Sequence, residues 1–64
     1  MDKKEYLKNF TEIELYLRDY NNKLKLEHFD LKKGELKEMI NEIRINEIEN
    51  QIKFISNLIK ELNK

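Results

Sequence analysis

Residues 45–62, with the sequence INEIENQIKFISNLIKEL, decide the fold class of this chain. Apolar side chains recur there at intervals of three and four residues, which are the intervals between a and d positions of a heptad repeat. The pattern predicts an amphipathic helix that buries one continuous seam against a neighbouring helix. The seam consists of six residues: Ile45, Ile48, Ile52, Ile55, Ile59 and Leu62.

The same helix is predicted to begin upstream of the seam and to carry a second apolar stripe. The two stripes lie about 130° apart around a helix of 3.6 residues per turn. A helix with two apolar stripes needs neighbours on two sides, which is typical of a helical bundle. The second stripe consists of Leu36, Ile40, Ile43, Phe54 and Leu58.

The upstream half of this helix raises two questions, namely where the seam ends and whether the helix is continuous. The heptad frame would place Glu38 and Asn41 at a and d positions, but we expect the seam to end at Ile45. We also expect one continuous helix. The alternative is a break near Asn46, because Asn46-Glu47-Ile48-Glu49 resembles a second capped helix start.

An earlier segment shows the same helical periodicity and predicts a first amphipathic helix. We expect this helix to begin at about Lys3, although Thr11-Glu12-Ile13-Glu14 forms a capping box that would start it at Thr11. The aromatic residues of its stripe are expected in the core, with their hydroxyl groups at the edge. The stripe consists of Tyr6, Phe10, Ile13, Leu17, Tyr20, Leu24 and Leu31.

The turn between the helices is predicted within residues 28–35. Lys32-Lys33-Gly34 is typical of a helix C-terminus, where cations precede a glycine in the left-handed conformation. Asp30 is an alternative N-cap for the second helix. We therefore expect one all-α domain, residues 1–64, that forms a two-helix antiparallel hairpin.

The length of the chain predicts self-association. A domain of 64 residues buries only about 60% of the surface of its unfolded chain. The chain contains no cysteine, so disulfides do not stabilise it. We expect a homodimer in a coiled-coil-like helical bundle, with the six seam residues 45–62 as the oligomer interface.

The charge and hydropathy of the chain indicate which classes of partner it is expected to bind. The chain carries 13 Lys and Arg against 13 Asp and Glu. Nucleic-acid binding needs a positive field, so we expect no nucleic-acid partner unless folding sorts the charges onto one face. No apolar run approaches the roughly 20 residues of a membrane span. We therefore expect a cytoplasmic protein with no membrane partner.

The sequence offers little for catalysis. His28 is the only histidine, and Glu27 and Asp30 flank it as carboxylates that commonly accompany a general base. No nucleophile accompanies them, so we expect a solvated loop end at this point. The chain also lacks a phosphate-binding glycine loop. We expect no enzyme activity, no catalytic residue, no cofactor and no metal.

The composition leaves an interaction protein as the main functional hypothesis. We expect a non-enzymatic helical module, a regulator, adaptor or inhibitor, that docks on a protein partner. Tyr16, His28 and Phe29 are the predicted contacts, because aromatic side chains dominate binding surfaces. Small proteins encoded by low-GC phages and mobile elements are an analogy for such a module. By this analogy, the chain would inhibit a component of host machinery. The alternative is a small helical dimer associated with transcription or nucleic acid.

One segment resembles a known family. Glu35-Leu36-Lys37-Glu38-Met39-Ile40-Asn41-Glu42 is similar to the second-helix signature of the small aspartyl-phosphate phosphatases of the sporulation phosphorelay. Those are two-helix proteins, so the resemblance implies a helical hairpin. The family's working Asp falls on Lys37, and its Ser-Gln pair falls on Lys33-Gly34. The resemblance therefore implies a phosphatase-like protein that lacks the catalytic Asp.

Overall fold

A computed structural model describes residues 2–64 as two antiparallel helices. Met1, the first residue of the predicted domain, lies outside the described residues. Helix α1 spans Lys3–His28 and helix α2 spans Leu36–Leu62. The Cα atoms fill a rod of 47 × 15 × 15 Å. The predicted all-α hairpin is confirmed, and α2 continues through Asn46 without a break.

Helix α1 begins at Lys3, as the longer of the two predicted helices does. Asp2 is the N-cap, and its carboxylate accepts a hydrogen bond from the backbone N–H of Glu5 at 3.0 Å. This bond satisfies one of the backbone donors that a helix N-terminus leaves unpaired. Thr11 lies inside α1 and starts no helix.

The turn lies within the predicted range, but α1 ends before the Lys32-Lys33-Gly34 signal. The helix stops at His28, and Leu31 turns back to become half-buried against the hairpin. Gly34 has a φ of +85°. This left-handed conformation, which is open to glycine, reverses the chain directly before Glu35, the N-cap of α2.

The interior of the hairpin is one seam with the heptad spacing on both helices. On α2 the predicted seam residues are half-buried or buried, and Ile52 is only 8% exposed. The prediction that the seam ends at Ile45 is wrong, because Asn41 is 7% exposed and Glu38 is half-buried on the same side. On α1 the matching interior positions are Leu7, Phe10, Glu14, Leu17, Asn21, Leu24 and His28.

Two tyrosines that were expected in the core lie beside the seam. Tyr6 is 44% exposed and Tyr20 is 41% exposed. Leu7 and Asn21, one residue further along the chain, occupy the interior positions. One residue corresponds to 100° of helix rotation, so the tyrosines are turned onto the flank of α1. Leu24 and Ile52 are the apolar side chains of residues 2–64 that are less than a tenth exposed.

The seam of α2 therefore has its first neighbour within the same chain. Residues 45–62 face α1, which supplies one of the two neighbours that the stripes of α2 require. The assignment of these residues to an interface between chains, and the dimer itself, stay predictions. Neither described helix has a stretch long and apolar enough to cross a membrane.

Candidate functional site

The hairpin has two sides, and one of them carries an apolar groove between the helices. Ile13 and Leu17 line it from α1, while Phe54 and Ile55 line it from α2. Asn50 and Gln51 complete its wall, and the groove encloses about 390 Å³. Ile13 is 43% exposed and Phe54 is 63% exposed, so these large side chains are accessible at the surface.

The groove is the centre of a longer apolar face. Tyr6 and Tyr20 lie seven residues before and after Ile13, so they share its edge of α1. On α2, Ile43 lies eleven residues before Phe54, which is about three helical turns and returns to the same side. We call the following set the apolar face: Tyr6, Ile13, Tyr20, Ile43, Phe54 and Leu58.

The exposure of this face explains the second stripe of α2. Leu36, Ile40, Ile43 and Phe54 are all exposed, because α1 covers only the seam. Scattered apolar side chains are normal on a protein surface, whereas these lie along one side of α2, with Glu47 as a charged residue between Ile43 and Phe54. The second neighbour predicted from the sequence is therefore missing from the single chain.

The opposite side of the hairpin carries a polar groove. Lys25 pairs with Glu49 at 2.9 Å across the two helices, and Arg18 lies 3.7 Å from Glu14. Lys53 and Lys60 also line this groove, and neither forms an ion pair within the described residues. Folding thus gathers basic side chains on one edge of a chain whose overall charge is balanced.

A buried polar network joins the helices near the turn. The Asn41 Nδ2 group donates to the Leu24 carbonyl at 3.0 Å and lies 3.1 Å from His28 Nδ1. Since the carbonyl can only accept, the atom facing it is the amide nitrogen, and Nδ1 must accept from the same group. The ring proton therefore lies on Nε2, which donates to Glu38 at 3.1 Å.

The carboxylate of Glu38 completes this network from the first turn of α2. Its other oxygen accepts the backbone N–H of Gly34 at 3.2 Å. Glu38 occupies the third helical position, from which an acidic side chain can reach back to an unpaired N–H before the helix. The carboxylate also interacts favourably with the positive end of the helix dipole. The network thus fixes the turn against both helices.

This network corrects the expectation that His28 is a solvated loop end. Both ring nitrogens of His28 are engaged, one by Asn41 and one by Glu38. Neither nitrogen is free to take a proton from a substrate, as a general base must. Among the described residues, no group of three or more His, Cys, Asp or Glu side chains is arranged to hold a metal ion. The arrangement holds the hairpin together.

A second buried amide lies further along the seam. Asn21 is only 3% exposed, and its Oδ1 atom accepts no hydrogen bond from the described residues. Asn21 also lines the polar groove, so it places a polar side chain inside a seam that has few buried apolar side chains.

The structure separates the three predicted partner contacts. Tyr16 is 68% exposed and stacks on Tyr20, with ring centroids 6.5 Å apart. Phe29 is 85% exposed at the start of the turn, whereas His28 lies inside the polar network. Tyr16 and His28 are about 18 Å apart along α1, at a rise of 1.5 Å per residue. These residues do not form one surface, and their role in binding stays a prediction.

Sequence reasoning did not place Ile13 and Phe54 together as a site. Ile13 was expected in the core of α1, and Phe54 was part of an unassigned stripe. The signal that could have joined them is the heptad frame, because residues flanking the seam on the same side of an antiparallel pair meet across it. No protein-family model, no curated protein and no solved structure matches this chain.

Proposed function

We propose that this chain is a small non-enzymatic protein-interaction module, a regulator, adaptor or inhibitor, that acts through its apolar face. The observation that carries the proposal is the groove lined by Ile13 and Phe54, which are large apolar side chains left exposed on the two-helix hairpin. Grooves of this kind bind the apolar side of a partner helix.

The composition of the face supports this proposal. Tyrosine and phenylalanine give large contact areas at low entropic cost, and they are common among residues that dominate binding energy. Tyr6, Tyr20 and Phe54 lie on the face, and Tyr16 stacks beside it on Tyr20. The asparagine and glutamine at positions 50 and 51 border the apolar groove with groups that can hydrogen-bond to a partner.

The experiment compares substitutions on and off the face. Ile13→Asp and Phe54→Asp should each abolish the capture of partner proteins by the tagged chain, because a charge would be buried in the interface. Leu15→Asp is the matched control, since Leu15 is 57% exposed and lies 200° around α1 from Ile13. Circular dichroism should show unchanged helicity in all three variants. Equal capture by all three variants would contradict the proposal.

The polar groove favours a second candidate, a nucleic-acid-associated hairpin. Arg18, Lys25, Lys53 and Lys60 line this groove against one acidic residue, Glu49. Cations displace counterions from phosphates, so such binding weakens steeply with salt. If this function holds, retention on heparin should fall when Lys53 and Lys60 are both changed to Gln. Retention of wild type and double variant at the same salt concentration would exclude it.

A further inference from the structure

We infer that the protein bound by the apolar face is a second copy of this chain, packed antiparallel to the first about a two-fold axis near Gln51 and Phe54. This inference rests on the proposed function, because it names the partner of the same face. It also differs from the sequence-based expectation, in which residues 45–62 form the interface between chains.

The exposed area of the single hairpin supports a second copy. The accessible surface is 5411 Å². A compact monomer of the same mass, 7.9 kDa, exposes about 4,400 Å². The difference of roughly 1,000 Å² arises because the hairpin is a rod instead of a compact body. A standard interface removes about 800 Å² from each partner, so one contact of ordinary size accounts for most of this difference.

The small number of buried side chains also supports a second copy. Leu24 and Ile52 are the only apolar side chains of the described residues that are buried, and no side chain is fully enclosed. Domains of this size commonly gain additional stability from a partner subunit. A second hairpin on the apolar face would add Ile13, Phe54 and Leu58 to the interior.

The order of residues along the face fits an antiparallel pair. In the hairpin, His28 lies opposite Glu38 and Lys3 lies opposite Lys64, which fixes the residues that share a level. A two-fold axis through the middle of the face then brings Leu58 of one copy to the level of Tyr20 of the other. The same rotation brings Tyr6 to the level of Ile43, while Glu47, the exposed residue one heptad before Phe54 on the same side of α2, comes level with Leu58. Isologous contacts of this kind are the commonest in homodimers.

One pair of charges beside the face is complementary in the same arrangement. Glu61 flanks the face at the end where the chain termini lie, while Arg44 flanks it towards the turn. Antiparallel packing places Glu61 of each copy near Arg44 of the other. A parallel pair would instead place Glu61 level with Glu61 and Arg44 level with Arg44. Complementary rim charges set the orientation of an interface more than its strength.

Sedimentation equilibrium over a concentration series tests the inference. Wild type and Leu15→Asp should sediment as dimers, whereas Ile13→Asp and Phe54→Asp should sediment as helical monomers with dissociation constants raised at least about 100-fold, the effect of burying an unpaired charge. A dimer that persists in both face variants would overturn the assignment of the interface.

A cross-linking experiment tests the same geometry without a destabilising substitution. The chain has no cysteine, so Gln51→Cys introduces a single thiol close to the two-fold axis. Mild oxidation should join Gln51→Cys chains in pairs and leave Lys53→Cys chains, whose thiol lies on the polar side, unjoined. Cross-linking of Lys53→Cys alone would overturn the inference.

The failure of this inference is distinguishable from failure of the proposed function. A wild-type monomer at high micromolar concentration would overturn the second copy as the partner. If Ile13→Asp and Phe54→Asp then still lost a captured protein that Leu15→Asp retained, the proposed function would stand with a different partner. If no variant differed, both would fall.

Discussion

Ile52→Asp is expected to abolish folding of this chain. Ile52 lies at the centre of the seam and is 8% exposed, so the substitution puts a charged side chain into the apolar contact between the helices. The apolar substitution Ile52→Ala should lower the free energy of unfolding by about 2–5 kcal/mol, as truncations in packed cores do. A single core of this size rarely supplies more than about 3–5 kcal/mol in total. Circular dichroism should therefore show loss of helicity for the aspartate variant and a strongly lowered melting temperature for the alanine variant.

Lys53→Ala is the control for this prediction. Lys53 is adjacent to Ile52 in sequence but lies exposed on the polar side of α2 and forms no ion pair within the described residues. Surface substitutions of this kind change stability by about 0.5 kcal/mol or less. If Ile52→Asp melted at the temperature of wild type, the seam between α1 and α2 would not be buried, and the hairpin described here would be wrong.

Asn41→Ala should also destabilise the hairpin, by about 1–3 kcal/mol. The substitution removes the amide that bonds the Leu24 carbonyl and His28 Nδ1, so two buried acceptors lose their donor. For a domain of this length, each kcal/mol lowers the melting temperature by about 4–8 °C. Thermal unfolding measures the effect directly. Asn46→Ala, an exposed asparagine on the same helix, should change the melting temperature little, and equal effects of both would show that the network does not stabilise the turn.

Heptad spacing alone was sufficient to predict the main packing of α2. Ile45, Ile52 and Ile59 face the neighbouring helix because the three- and four-residue intervals return to one side of a helix whatever that neighbour is. The same reasoning found the second stripe and the need for a second neighbour. It could not say which neighbour belongs to the same chain, because the pattern of one helix contains no information about its partner.

The polar part of the seam was not predicted, for a physical reason. Asn41 and Glu38 are buried because their partners, the Leu24 carbonyl and His28, lie on the other helix. Periodicity scores each position by its own polarity and cannot detect a compensating group across the hairpin. Asn21 had a related effect on α1, because its polar side chain at an interior position shifted the apparent stripe onto Tyr20.

The central claim is that α1 closes one side of α2 and that a second copy of the chain covers the other, and two of the three phenylalanines report on it directly. Phe54 lies on the apolar face, and Phe29 lies exposed at the turn as an internal control. Fluorine NMR of the chain labelled with fluorophenylalanine, recorded over a protein concentration series, separates the two. We predict that the Phe54 resonance loses its sensitivity to solvent as concentration rises, while Phe29 stays solvent-exposed throughout. The claim would be contradicted if Phe54 and Phe29 responded alike at every concentration.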